Sequence, residues 1–214
     1  MGSGLCPPTT QSHKSVIIRT MKKRTAREKL LDVTFQEVYI HGYAATSVDT
    51  ILKKSGVPKG SMYHYFKSKK ELVLAMVDER LFIKMDQFFR YDKQEGKSVM
   101  ESVRATFAGI AKNKMLVTHG CPLYRLMVEL APVDNEFDVL LVSKTQQMKA
   151  RMTRLLQIGI DIEEFDDALV AEEFASFMLS AVWGILSLSP SLSSSRIFIT
   201  QSRYILDQLA CYQK

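Results

Sequence analysis

Apolar residues recur at helical spacing almost from end to end of the chain, and no run of strict apolar–polar alternation interrupts them. Thr25-Ala26-Arg27-Glu28 fits a capping box, Thr at the N-cap and Glu three residues later. The first helix that it opens carries Leu31, Phe35 and Val38 on one face and closes at His41-Gly42, where glycine accepts a left-handed cap. A second helix starts at Thr46-Ser47, with Thr46 and Asp49 repeating the capping pattern. It buries Val48, Ile51 and Leu52 and stops at Ser55-Gly56. Pro58 suits the first turn of a very short third helix that runs to about Phe66. Ser68-Lys69-Lys70-Glu71, a third capping box, opens a long helix through Leu72, Met76, Leu81 and Met85. Further helices are predicted over about 97–113, 121–131, 136–159, 165–188 and 196–212. Gly96, the Thr118-His119-Gly120 turn, Pro132 and the Gly159-Ile160-Asp161 turn separate them, and Ser187 to Ser195 reads as a loop. The expected fold class is all-α.

Composition narrows what such a fold can be. With 46% hydrophobic residues, a chain of 214 residues can build a sizeable core. No stretch of about 18 uncharged apolar residues occurs, so no membrane span is expected. Met1 to His13 has no apolar core of a signal peptide. Residues 1–20 are expected to be a disordered tail or a segment added to the native chain, with Met21 offering a native start. Cys6, Cys121 and Cys211 are odd in number and far apart, which argues for a reducing, cytoplasmic compartment over a disulfide framework. His13, His41, His64 and His119 show no metal-ligand spacing, so no metal or cofactor is expected. Nucleophile-elbow, phosphate-loop, zinc-protease and dinucleotide motifs are all missing, and an enzyme is not expected. The acidic pairs Glu163-Glu164, Asp166-Asp167 and Glu172-Glu173 read as solvated helix starts.

Charge is split along the chain. Lys14 to Lys70 holds 13 Lys and Arg against 4 Asp and Glu, a net of +9, whereas Glu71 to the end holds 16 against 19, a net of −3. A basic first third on a slightly acidic remainder suggests a polyanion partner, although a lysine-rich solvated surface gives the same count. The second and third helices, joined by a tight glycine-containing turn, have helix-turn-helix spacing. A helix that enters the major groove needs small and polar residues at its N-terminal end. Lys59 can reach a phosphate or guanine, Gly60 and Ser61 permit close approach, and Tyr63, His64 and Tyr65 offer polar groups at phosphate height. Met62 and Phe66 are placed in the core, and Tyr65 fits either role.

The run from Gly42-Tyr43 through Thr46-Ser47-Val48, followed by Ser55-Gly56-Val57-Pro58-Lys59-Gly60-Ser61-Met62-Tyr63-His64-Tyr65-Phe66-Lys67-Ser68-Lys69-Lys70-Glu71-Leu72, resembles the DNA-binding domain of the TetR family of regulators over about residues 23–83. The resemblance implies an N-terminal helix-turn-helix domain over 21–83, with the motif itself at about 46–65, and a C-terminal helical effector-binding and dimerisation domain over 84–214. By the same resemblance the third helix enters the major groove of a double-stranded DNA operator. Lys59, Gly60, Ser61, Tyr63 and His64 hold the contact positions, and Ser47 and Lys69 bind phosphates at the starts of the second and fourth helices. Pro58 departs from the pattern, because the family often has Ser or Thr there.

The last two helices have wide apolar faces and small residues, Ala171, Ala175, Ala181 and Gly184, that allow close approach. Resemblance implies that they pair in a homodimer, the other reading being monomer core. Phe107, Cys121, Tyr124, Met127, Met148, Met152, Met178 and Trp183 are candidates for the pocket of a partly apolar effector, and ordinary core packing accounts for each equally well. Glu129, if buried, needs a partner and suits a cationic or hydroxylated ligand. The expected function is a ligand-released repressor. A second reading is a thiol sensor that uses Cys121 at a helix N-terminus, where thiolate is favoured.

Overall fold

Helix-forming residues between well-placed caps give eleven α-helices in a computed structural model, which describes residues 24–192 and 195–214. The tail, Cys6, His13 and Lys14, Arg19, Lys22 and Lys23 of the basic arm lie outside the described residues. Helix α1 (Ala26–His41) begins with the expected capping box, Thr25 accepting from the Glu28 amide and Glu28 answering at the Thr25 amide. Helix α2 (Val48–Ser55) is capped by Ser47, whose Oγ accepts from the Thr50 amide. Thr46, expected as part of that cap, is instead buried and donates to the Gly42 carbonyl. Gly56 takes the left-handed conformation that ends α2. Helix α3 (Lys59–Tyr65) starts one residue after Pro58, which is its N-cap and not its first turn.

Helix α4 (Lys69–Met76) runs through a π-helical turn (Val77–Leu81) into α5 (Phe82–Phe88), forming one rod that passes the expected boundary at residue 83. Its cap is half of a box: Ser68 accepts from the Glu71 amide, but Glu71 turns to the Lys67 amide. Leu72, Val73, Met76, Leu81 and Met85 bury the inner face of this rod. Then follow α6 (Val99–Lys112), α7 (Lys114–His119), α8 (Pro122–Leu130), α9 (Asn135–Asp161), α10 (Ala171–Leu192) and α11 (Ser195–Ala210).

Three differences from the sequence pattern have local causes. The predicted turn at Thr118-His119-Gly120 is preceded by α7, which Asn113 caps by accepting from the Met115 and Leu116 amides. The predicted helix start at residue 165 is a closed turn: the Asp166 amide donates to the Tyr212 carbonyl, and Phe165 bridges Gln213, so α10 begins at Ala171. The predicted loop from Ser187 is helical to Leu192, with Pro190 inside the helix. Residues 171–188 are apolar and long enough to cross a bilayer by composition. In the fold, however, Ala175, Met178, Val182 and Leu186 bury that helix against its neighbours α9 and α11, as a core helix requires.

Alpha-9 and the turn after it meet at the tightest packing point. A Cβ on Gly159 would sit 2.4 Å from Cδ2 of Phe165, a ring that is wholly buried and cannot withdraw. Gly159→Ala is therefore expected to destabilise the fold by about 1–3 kcal/mol despite alanine's better helix propensity. Gly109→Ala, on an open stretch of α6 with no atom near the new Cβ, should instead stabilise by about 0.5–1 kcal/mol. Urea denaturation of the two variants checks both signs.

Candidate nucleic-acid interface

Helix α3 is two-faced over less than two turns. Met62 and the capping residue Phe66 are buried beneath it, which fixes its roll against α1. That roll leaves Lys59, Gly60, Tyr63 and His64 exposed on one side, at i, i+1, i+4 and i+5. Ser61 is half-buried on the flank. Tyr65 is 40% exposed, with its ring 5.3 Å from His64 and 6.4 Å from Phe66. Gly60 has open space around it, and any surface docked on α3 can approach its backbone there. Beside this face lie Ser47, exposed and sharing a 2.8 Å hydrogen bond with Thr50, and Lys67, an exposed cation that the sequence reading passed over.

Other basic residues of this region are already committed to partners. Arg27 holds Glu79 through both guanidinium nitrogens and lies 5.3 Å over the Phe66 ring. The hydrogen bond to Glu79 raises the Arg27 pKa and lowers that of Glu79. Lys54 pairs with the buried Glu37 at 2.6 Å, and Arg24 and Arg80 share Asp32. Lys69, expected to reach a phosphate, donates to the Tyr43 carbonyl at 2.5 Å with its ammonium 4.1 Å from the Tyr43 ring centre. Burial lowers its pKa, opposed by the nearby Glu129. An ammonium has three donors, so two remain for a phosphate.

Behind this face the turn between α1 and α2 is bound to the second half of the chain. Glu129 on α8 accepts from the Tyr43 amide at 2.9 Å and from the Ala44 amide at 2.8 Å, one through each carboxylate oxygen. Glu129 is half-buried, and the partners that its carboxylate needs are found here in two amides that have no helical acceptor. Arg125, one turn earlier on α8, donates to the Tyr39 carbonyl at 2.6 Å and the His119 carbonyl at 3.1 Å. The Tyr39 hydroxyl donates to the Gly120 carbonyl at 2.7 Å. Spacings of 81 to 86 residues separate these partners, and no local motif marks them.

The eight pocket candidates do not share one cavity. Cys121 and Tyr124 line a cavity of about 450 Å³ between α8 and the end of α10, bordered by Arg125, Glu129 and Pro190. Phe107 lies on a separate groove of about 770 Å³, and Met148 on a space of about 10 Å³. Met127, Met152, Met178 and Trp183 line none of these and serve as packing, buried or half-buried among core side chains. Trp183 packs against the first cavity through Tyr124, with the two ring centres 5.3 Å apart.

Cys121 caps α8, but the helix N-terminus does not make it a thiolate. Burial pushes its pKa up to about 12, against smaller lowering by the Tyr124 and Leu123 amides and Trp183. The expectation of a favoured thiolate at this position is overturned, because desolvation of a fully buried sulfur outweighs the helix terminus. Burial, with smaller contributions from Arg125 and His41, lowers the pKa of His119, two residues earlier.

Comparison with known proteins places these features together. The model for bacterial regulatory proteins of the tetR family matches residues 30–76. An uncharacterized HTH-type transcriptional regulator of Lactococcus lactis subsp. lactis, encoded in the lacX 3' region, is 32% identical over 118 residues, 53% of this chain and 59% of that protein. The transcriptional regulator AcuR of Cereibacter sphaeroides is 27% identical over 138 residues, 62% of this chain and 61% of that protein. The matched stretch thus spans about three-fifths of these curated relatives. A TetR transcriptional regulator from Chloroflexus aurantiacus has the same fold, with a TM-score of 0.77 over 88% of this chain and 96% of that one at 20% identity.

The state of Cys121 is directly measurable. Iodoacetamide at pH 8 should label exposed Cys211 in the native protein and leave Cys121 unlabelled until the chain is unfolded, as read by peptide mass mapping. Its raised pKa also sets a pH dependence. The folded state keeps the proton that the unfolded chain loses near pH 9. Stability from this group is therefore complete below about pH 9 and falls by up to about 1.4 kcal/mol per pH unit above it. Cys121→Ala should flatten that fall between pH 9 and 10.

Proposed function

Because the chain belongs to the TetR family of bacterial regulatory proteins, a family of regulators and not of enzymes, we propose that it binds an operator as a homodimer and controls transcription in the cytoplasm. The observation that carries this reading is α3 itself: a short helix rolled by Met62 and Phe66 so that Lys59, Gly60, Tyr63 and His64 face outward. A helix seven residues long with glycine and small side chains at its start fits the major groove, where Lys59 reaches guanine or phosphate. Ser47, Lys67 and the two unspent donors of Lys69 suit phosphates on either side, and the half-buried Ser61 and ring-stacked Tyr65 line the edge of the contact.

A helix-turn-helix reads two half-sites about 34–36 Å apart, so it needs a two-fold partner. Phe177, Gly184 and Leu188 form one exposed stripe on α10, with Phe177 46% and Leu188 57% exposed and open space beside Gly184. Tyr204 on α11 is 66% exposed. These residues suit a four-helix interface in which α10 of two chains approach closely at Gly184.

Release by an effector is proposed to run through α8. Whatever moves the Gly120 turn or α8 displaces the acceptors of the Tyr39, Tyr43 and Ala44 contacts, and so the aim of α3. Only a ligand that prefers the displaced state can release DNA. The cavity at Cys121 and Tyr124 borders Arg125 and Glu129 and is placed for this.

Fluorescence anisotropy with DNA flanking the gene, across a salt series, tests the reading. Tight binding with a steep salt slope is expected. Tyr63→Ala should weaken it about ten- to hundredfold, and Lys59→Ala should lower the slope by about one counterion. Binding no tighter than to random sequence, unchanged in Tyr63→Ala, overturns α3 as the recognition helix. Separately, Phe177→Glu with Leu188→Glu should convert a dimer to monomer in sedimentation velocity while leaving helical content unchanged. A parent protein already monomeric at micromolar concentration overturns the proposed interface.

A further inference from the structure

The larger groove, of about 770 Å³, runs between α6, α7 and α11 and shares no lining residue with the cavity at Cys121. Its floor is apolar: Phe107 and Ala111 are buried at its base, with Val117 and Leu206 on the walls. Ile199 stands 52% exposed at its mouth. Phe107 is braced edge-on by Phe198 at 6.0 Å, so the floor is rigid. The rim carries Arg104 and Lys112 on α6, Lys114 on α7 and Arg203 on α11, and no acidic residue lines the groove. All four cations are exposed, and among the described residues none has a carboxylate partner.

This concentration of charge is against the local trend. From Glu71 onward the chain carries a net of −3, yet four positive side chains surround one apolar depression. Solvated lysines and arginines on an acidic domain gain by pairing with its carboxylates. Here they ring a hydrophobic floor instead, which costs like-charge repulsion while the groove is empty. Arg104 and Lys112 are eight residues apart on one helix, a span of about 12 Å, so the positive rim extends along the groove. The volume lies within the usual range for small-molecule sites, about 300–1,000 Å³.

We propose that this groove binds an amphipathic anion, a small molecule with an apolar body on the Phe107 floor and an acidic head on the cationic rim, and that its occupancy reaches the DNA-binding half through α7. Lys114, Val117 and Thr118 of α7 form one wall of the groove. The next two residues, His119 and Gly120, give the carbonyls that accept from Arg125 and from the Tyr39 hydroxyl. A displacement of α7 by an occupant therefore acts on the contacts that hold α1. This second half of the proposal rests on the DNA-binding reading; the binding half does not.

Anilinonaphthalene sulfonate and its uncharged parent, N-phenylnaphthylamine, share one fluorescent apolar body and differ by the acidic head. Titrated into the full-length protein without DNA, the sulfonate should bind saturably and at least tenfold tighter than the neutral probe. Arg104→Gln with Arg203→Gln should weaken the sulfonate at least tenfold and leave the neutral probe within twofold. Ile199→Asp, at an exposed position, should weaken the sulfonate in a protein whose thermal midpoint is unchanged. Equal binding of the two probes, or sulfonate binding unaffected in both variants, overturns the site. For the coupling, saturating sulfonate should weaken operator DNA at least fivefold in the parent and not in the double variant. Binding of the probe with unchanged DNA affinity overturns the coupling and leaves the site. Absence of operator binding without the probe is a failure of the DNA-binding reading, read in a separate arm.

Discussion

The arrangement of the two halves depends on one carboxylate. Helix α1 ends at Gly42, whose φ of +86° throws the chain out of helical geometry and leaves the Tyr43 and Ala44 amides pointing at no partner in their own segment. Glu129 takes both. Hydrogen bonds to a charged acceptor contribute about 1.5–3 kcal/mol each when shielded from water; here the Tyr43 bond is part-buried and the Ala44 bond exposed, which discounts both. Glycine at 42 is required twice over, for its conformation and because a Cβ there would stand 3.2 Å from a Glu129 oxygen. Tyr39 and Arg125 make the same junction from the other side, through the carbonyls of Gly120, His119 and Tyr39.

Elsewhere the halves are tied more loosely. Lys70 pairs with Asp134 and Glu136, and Lys144 with Asp78. Except in Lys70–Asp134, where both side chains are half-buried, one partner of each pair is well exposed, and such exposed pairs are worth about 0–1 kcal/mol. Asp78 belongs to the π-helical turn, a place where the connecting rod already departs from regular winding and can change register at low cost.

Local features were legible in the sequence because their causes are local. The capping box at Thr25, the Gly56 stop and the burial of Met62 and Phe66 follow from residues a few positions apart, and those few positions set the exposed face of α3. Errors came where a distant partner overrode the local pattern. Ser47 caps α2 because Thr46 is drawn inward to Gly42. Helix α10 begins late because the Tyr212 carbonyl claims the Asp166 amide. The partners that Glu129 needs could not be named from the local pattern because its two donors lie 86 and 85 residues away. Cys121 sat at the helix start that favours thiolate, and only the packing of the fold reveals a burial that reverses the effect.

The junction also bounds what a regulating ligand must do. Moving a two-state protein from almost wholly one state to almost wholly the other takes about 5.5 kcal/mol of differential binding. The two bonds at Glu129, one part-buried and one exposed, supply only part of that requirement. Displacing α8 or the Gly120 turn also works against ring contacts across the same junction, with Tyr43 5.6 Å from the buried Phe137 ring and Tyr39 5.8 Å from His119.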